Sequence, residues 1–286
     1  MKYGSALRAR TSFVLLLALL CGCAHAPPGG LVFGVLGDTP YTPHEVQRLD
    51  ALIDDINRER LDFVLHVGDI GGNACDDASL EARKQQFARI RHPFVLLPGD
   101  NDWTDCHRSG MDPMERLQKW RQLFCGGKLR VEVQRGAYCE HVRWQAGGTL
   151  FVALNVQGSN NNLGRNRAMD AEYAARMRAV LAWMDDSEQA FQQRKLERLV
   201  LLMQANPFLK PRAGASGFST LLERLRALAA AHPGKIVLVN GDTHTYHDDE
   251  PLPGLRRIEP WGSPIVAWLR GAIGGGELRV GVAAIY

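Results

Sequence analysis

Short apolar runs, each closed by a glycine and then an aspartate, punctuate this chain. Residues 31–37 lead into Asp38, 63–68 into Asp69, 94–99 into Asp100 and 236–241 into Asp242. Two further runs, 150–154 and 199–203, end in amides: Asn155 after the first, Gln204 and Asn206 after the second. Their brevity and their Val, Leu and Ile content predict strands buried on both faces. Helical patterns lie between them at 43–60, 80–91, 112–123, 170–183 and 220–231. The first opens on Thr42-Pro43-His44-Glu45, a cap with proline in the first turn. Strand and helix in alternation predict right-handed crossovers and substantially parallel sheets. Ligands of such sheets gather beyond the carboxyl ends of the strands. The aspartates occupy those ends, so they are expected to converge. Residues 126–148 read as short strands and turns, an excursion within the domain. Residues 265–286 read as antiparallel strands closing a second sheet, and no repeat of fixed period is visible.

The first residues follow a different pattern. Lys2, Arg8 and Arg10 precede an apolar stretch at 13–20, shorter than the roughly 20 residues a bilayer span needs. Leu20-Cys21-Gly22-Cys23 resembles the lipobox of bacterial lipoproteins, which implies cleavage before Cys23 and a lipid on that cysteine. An ordinary signal peptide cut near Ala24 to Ala26 is the alternative. By resemblance to enterobacterial sorting, Ala24 after the cysteine implies the outer membrane, facing the periplasm. The chain then divides into a signal peptide (1–22), a short tether (23–30) and one domain (31–286). The formal net charge of +3 equals the basic residues of the leader, which holds no acidic ones, so the remainder is balanced. No basic stripe marks a nucleic-acid partner.

Besides Cys23, four cysteines lie beyond the leader: Cys75, Cys106, Cys125 and Cys139. An exported chain meets an oxidising compartment, where an even set forms disulfides. Of the three connectivities, Cys75–Cys106 and Cys125–Cys139 are preferred because each links neighbouring loop-like segments. Free buried thiols are the alternative. No spacing of Cys and His indicates structural zinc.

One Gly-Asp after a strand is an ordinary turn or helix cap. Four that converge would repel one another and raise their pKa values, and a bound cation is the natural remedy. Carboxylates with one imidazole can hold one or two divalent metals. In order, and over most of the chain beyond the leader, these motifs resemble those of the calcineurin-like metallophosphoesterases, purple acid phosphatases included. That family carries Gly-Asp-x-His, Gly-Asp, Gly-Asn-His-Asp/Glu, a strand-borne His near a proline, and Gly-His-x-His. The resemblance implies an α/β fold, a four-layer α/β/β/α sandwich of two mixed sheets. It implies Asp38 as a ligand of the first metal and Asp69 as the carboxylate bridging both. In Gly99-Asp100-Asn101-Asp102, Asp100 replaces the metal-binding Asn, and Asn101 replaces the His that helps the leaving group depart. Asp242 replaces the first His of the last motif, and His244 keeps the second. The strand-borne His is missing. Gln204-Ala205-Asn206-Pro207 stands there, leaving Gln204 and Asn206 both open, with Asn206 carried forward as the ligand. Pro40 stands in place of the first-motif His. Tyr41 follows it as a candidate phenolate ligand of the purple acid phosphatase kind, at a different spacing.

Histidines exchanged for carboxylates and amides make the site harder and richer in oxygen. Mn²⁺ or Mg²⁺ is favoured, Ca²⁺ is allowed, and Zn²⁺ or Fe is less suited; a Tyr41 ligand would argue the other way. The second-metal position is the weaker, because its imidazoles are lost. The resemblance implies metal-activated water attacking a phosphoryl group in line. An imidazole that protonates the leaving oxygen contributes about 10²–10⁴-fold. Asn101 cannot act as that acid, so phosphoanhydrides and aryl phosphates are favoured unless His107 or His247 substitutes. The expected catalytic residues are Asn101, Asp102 and His107. Asn155, Asn160 and Asn161, in and beside the segment 158–162, are expected to bind phosphate oxygens; a plain turn is the alternative. His66 lies inside a strand run and reads as a hydrogen-bonded core residue, and Arg108 as a phosphate contact or a salt bridge. The expected function is metal-dependent hydrolysis of phosphate esters in the cell envelope, on a phosphorylated small molecule or envelope component. The alternative is a silent metal- or ligand-binding lipoprotein.

Overall fold

The computed structural model describes residues 30–286 except 73, 74, 128, 137 and 211–213. The leader, with the expected lipidation site Cys23, lies outside the described residues. Twelve strands follow in chain order: β1 (Leu31–Leu36), β2 (Phe63–His66), β3 (Phe94–Leu96), β4 (Glu132–Val133), β5 (Val142–Ala146), β6 (Thr149–Ala153), β7 (Arg198–Leu202), β8 (Ile236–Val239), β9 (His247–Leu252), β10 (Leu255–Glu259), β11 (Ala267–Gly274) and β12 (Glu277–Ile285). They form two mixed sheets, ordered β12-β11-β1-β2-β3 and β4-β5-β6-β7-β8-β10-β9. β1, β2 and β3 are mutually parallel, as are β6, β7, β8 and β10.

The sheets face each other across an aromatic core. Phe33, Phe63, Trp144 and Phe151 pack with ring centroids 5.1–5.5 Å apart, amid Leu65, Val200 and Val237. The opposite face of the first sheet buries Val32, Leu36 and Val64 against Leu49, Ile53 and Leu80 of helices Pro43–Ile56 and Asp77–Phe87. The second sheet buries Leu150, Leu199 and Leu238 against Val180, Trp183 and Leu225 of helices Arg167–Gln193 and Ser219–Ala231. Four layers result, as the motif resemblance implies. Strands covered on both sides must be apolar throughout, and β1, β2, β6, β7 and β8 are buried at every position.

Local signals set the helix starts. Thr42 Oγ1 accepts the Glu45 N–H ahead of Pro43, Asp76 caps Ser79 N–H, and Asn166 caps Met169 N–H; such a cap contributes about 1 kcal/mol. Two expectations are corrected. The helix expected at 170–183 runs from Arg167 to Gln193, because Met184, Ser187, Ala190 and Phe191 continue its buried stripe through small or polar residues. The C-terminal hairpin extends the sheet of β1 instead of closing a second one. β11 pairs antiparallel with β1, from Leu31↔Ile273 to Val35↔Leu269. Its burial on both faces requires an interior position, which β12 completes at the edge.

The carboxyl ends of β1, β2, β3, β6, β7 and β8 meet at one end of the sandwich. Backbone bonds stitch them there: Asp38 N–H to Gly68 O, Gln204 N–H to Val156 O, and Gly241 N–H to Gln204 O. Both cysteine pairs are bridged as preferred, Cys75–Cys106 and Cys125–Cys139. Among the described residues no helix is long and apolar enough to cross a membrane.

Candidate metal centre

Four strand-end aspartates converge at that end. Asp38, after β1, is fully buried. Its Oδ1 accepts the Asp242 N–H at 3.0 Å and Gln204 Nε2 at 3.3 Å, while its Oδ2 has no partner. Asp69, after β2, accepts the Asn101 N–H on Oδ1 at 2.9 Å; its Oδ2 accepts the Tyr41 hydroxyl at 2.8 Å and Gln204 Nε2 at 3.2 Å. Asp100 accepts the Ser159 hydroxyl at 2.8 Å, and half-buried Asp242 accepts the Asn206 N–H at 2.9 Å.

Glycines make this approach possible. A Cβ on Gly99 would lie 2.0 Å from Asp69 Oδ1, and one on Gly241 would lie 2.1 Å from Asp38 Oδ2. The glycine of one motif is therefore the seat of another motif's carboxylate. Asp38, Asp69, Asp242 and His244 themselves adopt positive φ, between 50° and 84°. Such strain in non-glycine residues is tolerated where the surroundings over-determine it, commonly at functional sites.

The electrostatics are one-sided. Burial, then the charge of Asp242, raises the pKa of Asp38 well above the usual range. Burial, then Asp100 and Asp38, does the same to Asp69. Asp100 is raised by burial and Asp105, and Asp242 is pushed to about 7 by burial and Asp100. The basic group paired with this cluster is His244, whose Nε2 lies 3.8 Å from Asp38 Oδ1. Its Nδ1 is 2.7 Å from the Ser263 carbonyl oxygen, which can only accept, so Nδ1 carries a proton and the neutral imidazole presents its lone pair at Nε2. Metal-binding imidazoles are oriented in this way. An unpartnered buried carboxylate oxygen, a free imidazole nitrogen and several acids without counter-charge fit a divalent cation. The predominance of oxygen donors suits a hard one.

A cavity of about 750 Å³ opens over the cluster. Asp69, Asp100, Asp242, His244 and Tyr41 line it, with Asn101, His107 and Ser159 beside them. Arg108, Arg165 and Lys210 also contribute to its lining, although Arg108 and Arg165 both pair with Asp105. Arg108 is thus a salt-bridge residue, the second of its two readings.

Several expected site residues are committed elsewhere. Asp102 accepts the backbone N–H groups of Gly99, Asp69 and Ile70 at 2.7–3.1 Å. It pins the loops after β2 and β3 and is not placed for catalysis. The Asn206 carboxamide donates to Glu259 and accepts from Phe208 N–H, so the residue meets the cluster through its backbone only. Asn155 is buried and donates to Glu140. Asn161 is buried between Arg176 and the Gly217 carbonyl. Asn160 lines the cavity, but its side chain bonds Gly217 N–H and Leu163 O. These asparagines serve a turn: residues 159–162 all have φ between 49° and 70°. Asparagine tolerates that left-handed region best among non-glycine residues, and the side chains spend their amides holding it. His247 sits 3.2 Å from Glu259 Oε2 and does not line the cavity. His66 is a core residue, bonded to Thr39 O and Gly68 N–H.

Two residues, Ser159 and Glu259, were given no role of their own in the sequence reading, and a third was left open. Gln204, weighed against Asn206 there, is the amide that reaches the carboxylates. Ser159 Oγ lies 2.8 Å from Asp100 and 2.6 Å from Asp105; one hydroxyl proton serves two acid oxygens. Glu259, fully buried at the end of β10, accepts Thr243 N–H, Asn240 Nδ2 and Asn206 Nδ2. It clamps the loops after β7 and β8. An acid ending the run 255–259 was its only trace in sequence.

A sequence model of the calcineurin-like phosphoesterases matches residues 19–246. A dimetal phosphatase from Danio rerio superposes with a TM-score of 0.60 at 13% identity, covering 88% of this chain and 95% of that one. A purple acid phosphatase from yellow lupin (Lupinus luteus) superposes with a TM-score of 0.53 at 12% identity, over 88% of this chain and 51% of that one. At such identities the likeness is one of fold. No curated protein matches the sequence.

Proposed function

The chain belongs to the calcineurin-like phosphoesterase family, and from that premise we propose that it is a metal-dependent hydrolase of phosphate esters working in the bacterial cell envelope. The observation that carries this reading is the strand-end cluster itself: Asp38 with its Oδ2 unpartnered and its Oδ1 3.8 Å from His244 Nε2. Carboxylates gathered without a cation would be a standing destabilisation.

Asp38, Asp69 and His244 would hold the metal, with Asp100 and Asp242 beside them. When bound, it supplies an activated water and neutralises phosphoryl oxygens. The chain's own groups do the rest. Tyr41 donates to Asp69 and fixes that carboxylate. Ser159 does so for Asp100. Asn101 holds Asp69 through its N–H, and its side chain has no proton to give a leaving oxygen. Esters with good leaving groups, phosphoanhydrides or aryl phosphates, are therefore the favoured substrates. His107, which lines the cavity, is the side chain able to supply a proton to poorer ones. The donor chemistry favours Mn²⁺ or Mg²⁺, then Ca²⁺.

The envelope location rests on the leader's resemblance to lipoprotein signals, with a lipid on Cys23 and the outer membrane as destination; the two disulfides support an oxidising compartment. A silent binding protein is the second reading, favoured by Asn101 and by the amide at Gln204. The deciding experiment strips the full chain with chelator and resupplies Mn²⁺, Mg²⁺, Ca²⁺ or Zn²⁺ over an activated phosphodiester. Metal-dependent turnover that disappears in Asp69→Asn supports the hydrolase. A folded protein without turnover on any ion sinks it in favour of the silent binder.

A further inference from the structure

The orientation of one carboxamide decides how many cations this centre can take. A backbone N–H can only donate, so the Gln204 atom lying 2.6 Å from Gly158 N is the side-chain oxygen. The NH₂ group therefore faces the acids, 3.3 Å from Asp38 Oδ1 and 3.2 Å from Asp69 Oδ2. An amide nitrogen is a donor of hydrogen bonds and has no lone pair to offer a metal. Gln204 is fully buried, so it meets these two oxygens as a fixed positive dipole.

Gly158 crowds Asp100 and Asp242 as well. It passes so closely that a Cβ on it would lie 2.7 Å from Asp242 Oδ1 and 2.9 Å from Asp100 Oδ2. Asp100 Oδ2 also accepts the Ser159 hydroxyl, and Asp242 Oδ2 accepts the Asn206 N–H. Asp38 differs only in its donors, since Gly241 seats as closely against it. Its Oδ2 is buried without a donor, and the His244 lone pair stands 3.8 Å from its Oδ1, a span that a single cation can bridge.

We infer that this chain binds a single divalent cation, held by Asp38, Asp69 and His244, and that the NH₂ group of Gln204 takes the place of a second one. The inference rests on the proposed reading that the cluster binds metal at all. It assigns Gln204 a positive role: the residue relieves the repulsion between Asp38 and Asp69 without a second ion. The left-handed turn at 158–162 belongs to the same device, since its Gly158 N–H sets the amide's direction.

The test counts ions instead of measuring turnover. The full chain, stripped with chelator, is dialysed to saturation against Mn²⁺, and bound metal per chain is measured by elemental analysis and electron paramagnetic resonance. The expected result is one Mn²⁺ per chain with the spectrum of an isolated ion. Gln204→His or Gln204→Glu, each of which replaces the donor by a ligand, is expected to take up two with a spin-coupled spectrum. Two coupled ions in the unmodified chain would overturn the inference and leave the hydrolase reading standing. No bound ion would overturn both. A folded Gln204→Glu that stays at one ion would remove Gln204 from its assigned role.

Discussion

At Asp69 the requirements of folding and of metal binding pull in opposite directions. Its carboxylate is buried among Asp38, Asp100 and Asp102, whose charges and the loss of water raise its pKa. In the metal-free protein that repulsion opposes folding. Asp69→Asn keeps the shape and removes one charge, so it should raise the melting temperature of chelator-treated protein while abolishing any stabilisation by added Mn²⁺. A calorimetric scan of both proteins with and without the ion checks this. His141 offers a separate test of pH dependence. Burial lowers its pKa to about 4, against an ordinary value near 6.5. The unfolded state therefore binds the extra proton between those values, and the contribution of neutral His141 is complete above about 6.5 and lost as pH falls toward 4. Relative to His141→Gln, the unmodified protein should lose roughly 3 kcal/mol between pH 7 and pH 4, as read from denaturant midpoints. The sequence disclosed the carboxylates because each follows an apolar run and a glycine. It did not disclose the duties of Asp102, Asn155, Asn161 and Asn206, because aspartate and asparagine serve backbone N–H groups as readily as ligands. Nothing local tells which way a carboxamide such as that of Gln204 faces.

Among the elements, the loops beyond β2 and β3 carry Asp69 and Asp100, and the Cys75–Cys106 disulfide ties those loops together behind the site. Its closure spans 31 residues of sequence, a length for which such a cross-link contributes about 3–4 kcal/mol. The double substitution Cys75→Ser with Cys106→Ser should lower stability by about that much. It should also weaken Mn²⁺ binding, measurable by titration calorimetry, because both loops bear ligands or their neighbours; an unchanged affinity would confine the bridge to stability. The strands were legible from their apolar runs, and helices from caps such as Thr42-Pro43. Helix Arg167–Gln193 was read short because Asp185-Asp186-Ser187 breaks the apolar pattern, although Ser187 lies on the buried stripe. The hairpin β11-β12 was assigned to the wrong sheet, since pairing across more than 200 residues leaves no local mark.

For the whole molecule, the two sheets converge on the end proposed to bind the ion, which would link folding to metal binding. A ligand bound only by the folded state, at 100 times its dissociation constant, adds about 2.7 kcal/mol of stability. Chelation should therefore lower the melting temperature by roughly 5–10 °C for a domain of this size, and one preferred ion should restore it. Absence of any shift would count against the metal centre. The order of strands along the chain made the convergence predictable, whereas the acid at Glu259, which clamps two loops from a third, arose only from the packed fold.

The seating of Asp69 against Gly99, and of Asp38 against Gly241, also constrains the chain's history. A side chain at either glycine would strike a carboxylate oxygen at about 2 Å, so neither position can drift while its aspartate stays. A lineage leaving this chemistry must lose the acid first and the glycine afterwards. Gly241→Ala, which would strike only side-chain atoms, should accordingly be damaging alone and far milder beside Asp38→Gly. That sign-changing pair, scored by stability, makes the interlock a ratchet: the glycine cannot be exchanged before the aspartate seated on it is lost.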